Sequence, residues 1–323
     1  MLKIRKYKET DRKHWDYFVG NSNNGTIFHL RRFLNYHPEN RFNDHSLIIK
    51  KKQKIFAVFA GAEKQINNKK HLISHPGLSF GSFVVQNNLS VADSYKMIEI
   101  FIEYLNKLNF KVALIKLSPL FHYQRPSNYI DFFLLKSGFK YKNRELTSVL
   151  SLEDNIKNNL IQFRSSHIRG LKIAKRRGVI VFQSVEYEEF YRILKRNLSK
   201  RHGVSPTHTL KELKRLKSLF PEQLKLFSAK LDNKMIAGVL NFLINKRVVL
   251  AFYISHHEEY KDYRPLNFIF YKIFEWAIYS KYKIYDFGTF TLNQEPNMGL
   301  GRYKENFGAS GGFRDLIEMK LSQ

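Results

Sequence analysis

The chain has 323 residues, with 55 lysines and arginines against 28 aspartates and glutamates, and no cysteine. The missing thiol excludes disulfides, thiolate metal sites and cysteine-nucleophile chemistry, and a composition 43% hydrophobic and 15% aromatic excludes a disordered chain. A net charge of +27 selects polyanionic partners: nucleic acid, anionic lipid, or phosphorylated and nucleotide-linked substrates. Abundant Lys, Asn, Ile and Phe also fit an AT-rich coding sequence, so composition alone accounts for part of that charge.

The length has room for two ordinary domains. The N-terminus shows no apolar core of a signal peptide, and the most hydrophobic stretch, 235–255, is broken by Asn241, Asn245, Lys246 and Arg247. These predict a soluble, cytoplasmic protein. In chain order, SLIIKKKQKIFAVFAGAE (46–63) sets two β-type runs around a lysine-rich turn. HLISHPGLSFGSFVV (71–85) reads as extended chain interrupted at Pro76, Gly77 and Gly81. Ser90 is placed to cap a helix whose Tyr95, Ile98, Ile102 and Leu105 share one face. KVALIKL (111–117) is a predicted buried strand, a short helix over 128–137 stops at Gly138, and YKNRELTSVLSL closes the first half as a strand.

The second half opens on a mostly helical cationic segment, 155–178, ending at Gly178. VIVFQSV is a strand, and helices are predicted over 187–200 and 209–219. Three strands follow, separated by turns at 232–234 and 245–247. NFIFYKIFEWAIYSKY is a helix and KIYDFG a strand. Each half thus shows antiparallel strands, a helix and a further strand. That is an α+β plan, with two similar domains over 1–151 and 152–323 and mainly antiparallel sheets flanked by helices. No GxGxxG follows a first strand, so a Rossmann reading fails.

Several constellations bear on chemistry. FRSSHIRGLKIAKRRG holds Arg164, Arg169, Lys172, Lys175, Arg176 and Arg177 with no acid; it reads as a polyanion-binding face or as a solvated helix. Arg201 and His202 precede Gly203 at a helix end, either clamping an anion or complementing the helix dipole. Gly299 and Gly301 beside Arg302, Tyr303 and Lys304 read as a loop leading into a short helix through 303–307, an anion site or a surface turn. His75 either faces a pocket or is a hydrogen-bonded loop histidine. SHHEEY (255–260) lacks the spacing of a metal site, and no metal is expected.

In their order these pieces resemble a family: R…IRGLKIAKRRG, SKRHGV, KMIAGVLNFLINKRVVLAFYIS, YRPLNFIFYKIFEWAI, YDFGT and MGLGRYKENFGA. The chain is similar to the Fem-type acyltransferases of the GNAT superfamily, over most of 150–323 and more loosely before that. The resemblance implies two GNAT-like domains and acyl transfer to an amine, with acyl-CoA, an acyl carrier or aminoacyl-tRNA as co-substrate. It places Tyr303-Lys304 at the family's Phe-Lys pair and Arg201 at its nucleotide-phosphate contact. Its Asp-Phe-Gly-Gly appears as Asp286-Phe287-Gly288-Thr289.

The expected reaction is attack of an amine on an activated acyl group without a covalent enzyme intermediate. The amine belongs to a cell-envelope precursor, an amino sugar or muropeptide. Lys304 stabilises developing charge, Arg201 anchors the anionic acceptor, and Asp286 orients or deprotonates the amine. Expected partners are an anionic or lipid-linked precursor, tRNA, and peripheral contact with an anionic membrane. The competing reading is a non-catalytic basic module that binds tRNA.

Overall fold

The computed structural model describes residues 1–38 and 41–321. The chain divides into two units, one formed by residues 1–146 with those from 312 onward, the other by 147–311.

Turn chemistry shapes the first unit. β1 (Leu2–Lys6), α1 (Arg12–Gly20) and α2 (Arg31–Leu34) lead to β2 (Asn43–Asp44), β3 (Leu47–Lys51) and β4 (Lys54–Phe59). The lysine-rich turn makes the predicted hairpin: Lys52 and Gln53 take φ of 47° and 63°, the left-handed pair that matches strand twist in a two-residue turn. A second such hairpin joins β5 (Gly61–Ile66) to β6 (Lys69–Ser74), with Asn67 and Asn68 at φ 50° and 57°. The predicted run over 46–63 is therefore cut at Ala60: β4 pairs in the sheet β1-β3-β4-β7, with β7 at Phe83–Val85, while β5 joins a different set of strands.

α3 (Val91–Lys107) begins where expected, the Ser90 hydroxyl accepting the Asp93 N–H at 3.1 Å. It buries Met97, Ile98, Phe101 and Leu105, whereas Tyr95 is 42% exposed; the packed face is rotated toward Met97 and Phe101 from the one predicted. β8 (Val112–Lys116), α4 (Tyr129–Lys136) and β9 (Lys140–Ser151) follow. The final strand, β17 (Ser310–Lys320), pairs antiparallel with β8. The unit's second set of strands runs β9-β17-β8-β6-β5-β2; β17 is antiparallel to β8, β5 to β6 and β2 to β5, and β6 is parallel to β8. Phe59, Phe83, Phe101, Phe110, Ile115 and Leu134 fill the core.

In the second unit the predicted cationic helix is two helices, α5 (Ile156–Ile161) and α6 (Ser165–Arg176). Arg164 between them is extended (ψ 148°), its N–H donating to the Asn306 carbonyl at 2.9 Å. Next come β10 (Ile180–Ser184), α7 (Tyr187–His202) and α8 (Leu210–Leu219). β11 (Leu224–Leu231), β12 (Lys234–Leu243) and β13 (Val248–His256) are successive antiparallel neighbours. The nearly all-apolar α9 (Pro265–Tyr279) buries Phe270, Ile273, Phe274 and Ala277 in the unit's core. β14 (Ile284–Thr289), the short pair β15 (Thr291–Leu292) and β16 (Glu295–Pro296), and α10 (Met298–Glu305) complete it. The strand order is β10-β11-β12-β13-β14-β9, with residues 147–151 of β9 at the end. A domain boundary at 151/152 differs from this division twice: residues 147–151 pair with β14, and the last strand belongs to the first unit from residue 312.

Candidate active site

β13 and β14 pair in parallel through Val248–Ile284, Val249–Tyr285 and Leu250–Asp286. Their ladder stops there, although β13 continues to His256 and β14 to Thr289. Just past the stop, Gly288 takes φ +76°, a left-handed conformation that costs other residues energy. Its N–H donates to Asp286 Oδ1 at 2.9 Å. Its carbonyl accepts from Lys304 Nζ at 2.7 Å, and the same ammonium donates to the Thr289 carbonyl at 2.9 Å. Asp286 Oδ1 also accepts the Thr147 hydroxyl at 2.7 Å. Asp286 is fully buried and Lys304 is 2% exposed. An acid thus grips one side of Gly288 and a cation the other, which fixes the strand end rigidly where the ladder opens.

Lys304 is delivered by α10. Asn297 caps that helix, its Oδ1 accepting the Leu300 N–H at 2.9 Å. Because the cap acts this early, the helix starts at Met298, not near Tyr303 as predicted. Gly299 and Gly301 are helical residues, not an open loop. A Cβ at Gly301 would lie 3.0 Å from the Phe290 ring, so this glycine lets α10 approach Phe290. Arg302 is exposed. Gly308, at φ +91°, ends the turn against Gln162, whose Cβ would lie 2.5 Å from an added Cβ.

Tyr303 points the other way, into the core. Its ring lies 5.0 Å from that of His167 and 5.3 Å from that of Phe307, centroid to centroid. Its hydroxyl is buried with no hydrogen-bond partner among the described residues, as is His167 Nε2. Burial raises the Tyr303 phenol far above its ordinary range against the nearby Arg264 guanidinium. Burial, with Arg264 adding to it, lowers His167 to about 4. Both are therefore neutral near pH 7. Arg264 takes φ +54° before Pro265, a left-handed conformation that costs a non-glycine residue energy. α6 and α9 come close here because Gly170 has no Cβ; one would lie 2.9 Å from the Asn267 side chain. Thr147, His167, Arg264 and Asn267 were not singled out from sequence. The unusual Arg-Pro start of an apolar helix and the glycine in HIRG were the available signals.

The remaining expected residues are scattered. His75 is buried in the first unit, its Nδ1 accepting the Gly77 N–H at 3.3 Å, and burial lowers it to about 4. The side chains of Arg201 and His202 lie outside the described residues. The cations on and flanking α6 sort into two groups. Arg164 pairs with Glu305 at 3.4 Å, Lys175 lies over the Tyr271 ring at 4.7 Å, and Arg177 donates to the Asp262 carbonyl at 3.1 Å. Arg169, Lys172 and Arg176 are exposed, at spacings of three and four that place them on one helix face. Among the described residues no group of three side chains is placed to hold a metal ion. No helix among them is long and apolar enough to cross a membrane.

Residues 162–305 match the acetyltransferase (GNAT) domain family. The second unit carries a GNAT acyltransferase domain. That domain contains both the Gly288 clamp and the cluster around Tyr303. Over its whole length the chain is similar in fold to a crystal structure of FemX, with TM-score 0.76 at 13% identity, covering 99% of this chain and 97% of that one. It is also similar to L-PGS from Bacillus licheniformis, with TM-score 0.61 at 10% identity over 97% and 93% of the two chains. A tandem GNAT protein from the clavulanic acid biosynthesis pathway follows with TM-score 0.56 at 8% identity, over 100% and 99%. At such identities the likeness is one of fold, and the fold is the expected Fem-type tandem of GNAT-like domains. No curated protein matches the sequence.

Proposed function

We propose that this acyltransferase moves an aminoacyl or acyl group from an activated donor to the amine of a cell-envelope precursor, an amino sugar or a muropeptide. The observation that carries the reading is the clamp on Gly288 at the open end of the β13–β14 ladder, inside the GNAT domain. Beyond Leu250 and Asp286 the two strands no longer pair with each other, and strand edges of this kind hold an amide-bearing ligand through main-chain hydrogen bonds. The acceptor nitrogen bonds to the donor carbonyl carbon, the C–O or C–S bond to the carrier breaks, and the amine loses one proton. Lys304 supplies fixed positive charge beside this opening, which stabilises the oxyanion as it forms. Asp286 is buried with two donors on one oxygen, so we assign it to positioning Gly288 rather than to taking the amine's proton.

The exposed row Arg169, Lys172 and Arg176 favours a polyanionic donor, aminoacyl-tRNA, over acyl-CoA. The sequence resemblance to the Fem-type acyltransferases, which implies aminoacyl-tRNA as donor and cell-wall precursors as acceptors, supports the same choice and an envelope acceptor. The test offers purified protein both donors, with UDP-linked amino sugars and UDP-linked muropeptides as acceptors, and follows product by mass spectrometry. A new amide formed from aminoacyl-tRNA is expected, lost in Lys304→Met. No amide from either donor on any acceptor would sink the proposal, and tRNA binding without transfer would leave the binding-module reading in its place.

A further inference from the structure

The first unit contains a cavity of about 600 Å³, within the range that takes a small organic ligand. Its walls are mostly apolar and aromatic, with Phe121, Phe132, Tyr141 and Phe313 among them. Phe132 is 59% and Phe313 53% exposed, so two of the lining aromatic residues remain partly open to solvent. Three charged groups also line it: Asp131, Arg144 and Asp315. Two of these cancel. Arg144 donates from Nε and Nη2 to the two oxygens of Asp315 at 2.8 and 2.9 Å, and its guanidinium lies 4.2 Å from the Tyr141 ring centroid and 4.1 Å from that of Phe313.

Asp131, on α4, is what remains. It has no hydrogen bond or ion pair among the described residues. The groups facing it are Asp315 on β17, Arg144 and Tyr141 on β9, and the buried Tyr123. Arg144 is committed to Asp315, so none of them offers Asp131 a free cation. Burial, and then the Asp315 charge, raise its carboxyl to about 7. Asp131 is half-buried; a carboxylate partly withdrawn from water without a partner is costly, and aromatic faces attract cations. The vacant partner has a defined chemistry.

We propose that this cavity binds an organic ammonium ion, its charge on Asp131 and its apolar body against Phe121, Phe132 and Phe313. This goes beyond the transfer reaction and does not depend on it. Bound cation replaces the proton on Asp131, so below neutral pH binding releases a proton to solvent.

The test uses the full chain and isothermal titration with phenethylammonium, its N,N,N-trimethyl analogue, and neutral 2-phenylethanol. One or both cations bind saturably, and the alcohol at least about tenfold more weakly, the loss of one charge-assisted contact. Affinity rises about tenfold per unit from pH 5 to 7 and levels above, with proton release below pH 7 seen as a buffer-dependent heat. Asp131→Asn removes both the affinity and its pH dependence; if that variant misfolds, Phe132→Ala, at an exposed ring, weakens the cations instead. Equal binding of cation and alcohol, unchanged affinity in a folded Asp131→Asn, or no saturable binding of either cation overturns the proposal. Binding of the primary ion alone assigns the site to free amines; binding of both extends it to quaternary headgroups.

Discussion

Lys304→Met is the most informative single change. Methionine keeps a long apolar stem on α10 and removes the ammonium that bridges the Gly288 and Thr289 carbonyls. Two charge-assisted hydrogen bonds contribute about 1.5–3 kcal/mol each, so about 3–6 kcal/mol is lost at first count. Two terms offset this. The fold no longer buries a cation that is 2% exposed, a penalty of several kcal/mol on its own. Thr289 is exposed, so its carbonyl regains water. A net destabilisation of about 1–3 kcal/mol remains, which at about 2–4 °C per kcal/mol lowers Tm by roughly 2–12 °C. Turnover falls further, by about 10²–10³, if the ammonium also stabilises the developing oxyanion. Calorimetry and single-turnover amide formation, run well below the variant's Tm, separate the two effects. A folded Lys304→Met with full turnover refutes the catalytic assignment; an unchanged Tm refutes the clamp.

Four further outcomes follow from the same geometry. Gly288→Ala places a Cβ no nearer than 3.7 Å to the Ala251 carbonyl, so its cost is that of the backbone alone, about 1–2 kcal/mol, read from the denaturant midpoint; no change contradicts the conformational argument. Tyr303→Phe removes a hydroxyl without a partner among the described residues, so Tm stays level or rises; a fall of several degrees shows that the hydroxyl is held. Reversing Arg169, Lys172 and Arg176 to Glu flattens the salt dependence of tRNA binding by about 2–3 in log–log slope and leaves Tm unchanged, which filter binding and calorimetry check. His29, His75 and His167 are lowered by burial to about 3, 4 and 4. Below about pH 6.5 the unfolded chain therefore takes up protons that the fold refuses, and stability falls as pH drops to about 4; denaturation at stepped pH shows this as a declining midpoint, reduced in His167→Leu.

The parts of the fold legible in sequence are those fixed by local chemistry. Lys52-Gln53 and Asp232-Asn233 turn their hairpins with paired positive φ, and Ser90 caps its helix. Gly138 and Gly178 end theirs with φ of 107° and 73°. The misses are tertiary. Nothing local separates β4 from β5, because the change of strand partners at Ala60 depends on which neighbours each finds. β17 carries two glycines and alternating charges (SGGFRDLIEMK) and so lacks an apolar strand pattern. The clamp was half visible: Asp286, Gly288 and Lys304 stood out, but that all three meet at one glycine depends on the early start of α10 set by Asn297. The cluster of His167, Tyr303 and Arg264 joins residues far apart in sequence, and burial, its decisive property, leaves no local mark.

The return of the last strand to the first unit shapes how this chain can fold. Residues 147–311 are one uninterrupted segment, whereas β8 waits for Leu316–Lys320 to pair with it. On a ribosome the later-made unit is complete sooner, and the earlier-made unit closes only once residues 316–320 have emerged. Truncation after residue 311 would therefore spare the clamp and expose an unpaired β8 edge, a site for aggregation. A trimmed chain of this kind fails through its first unit.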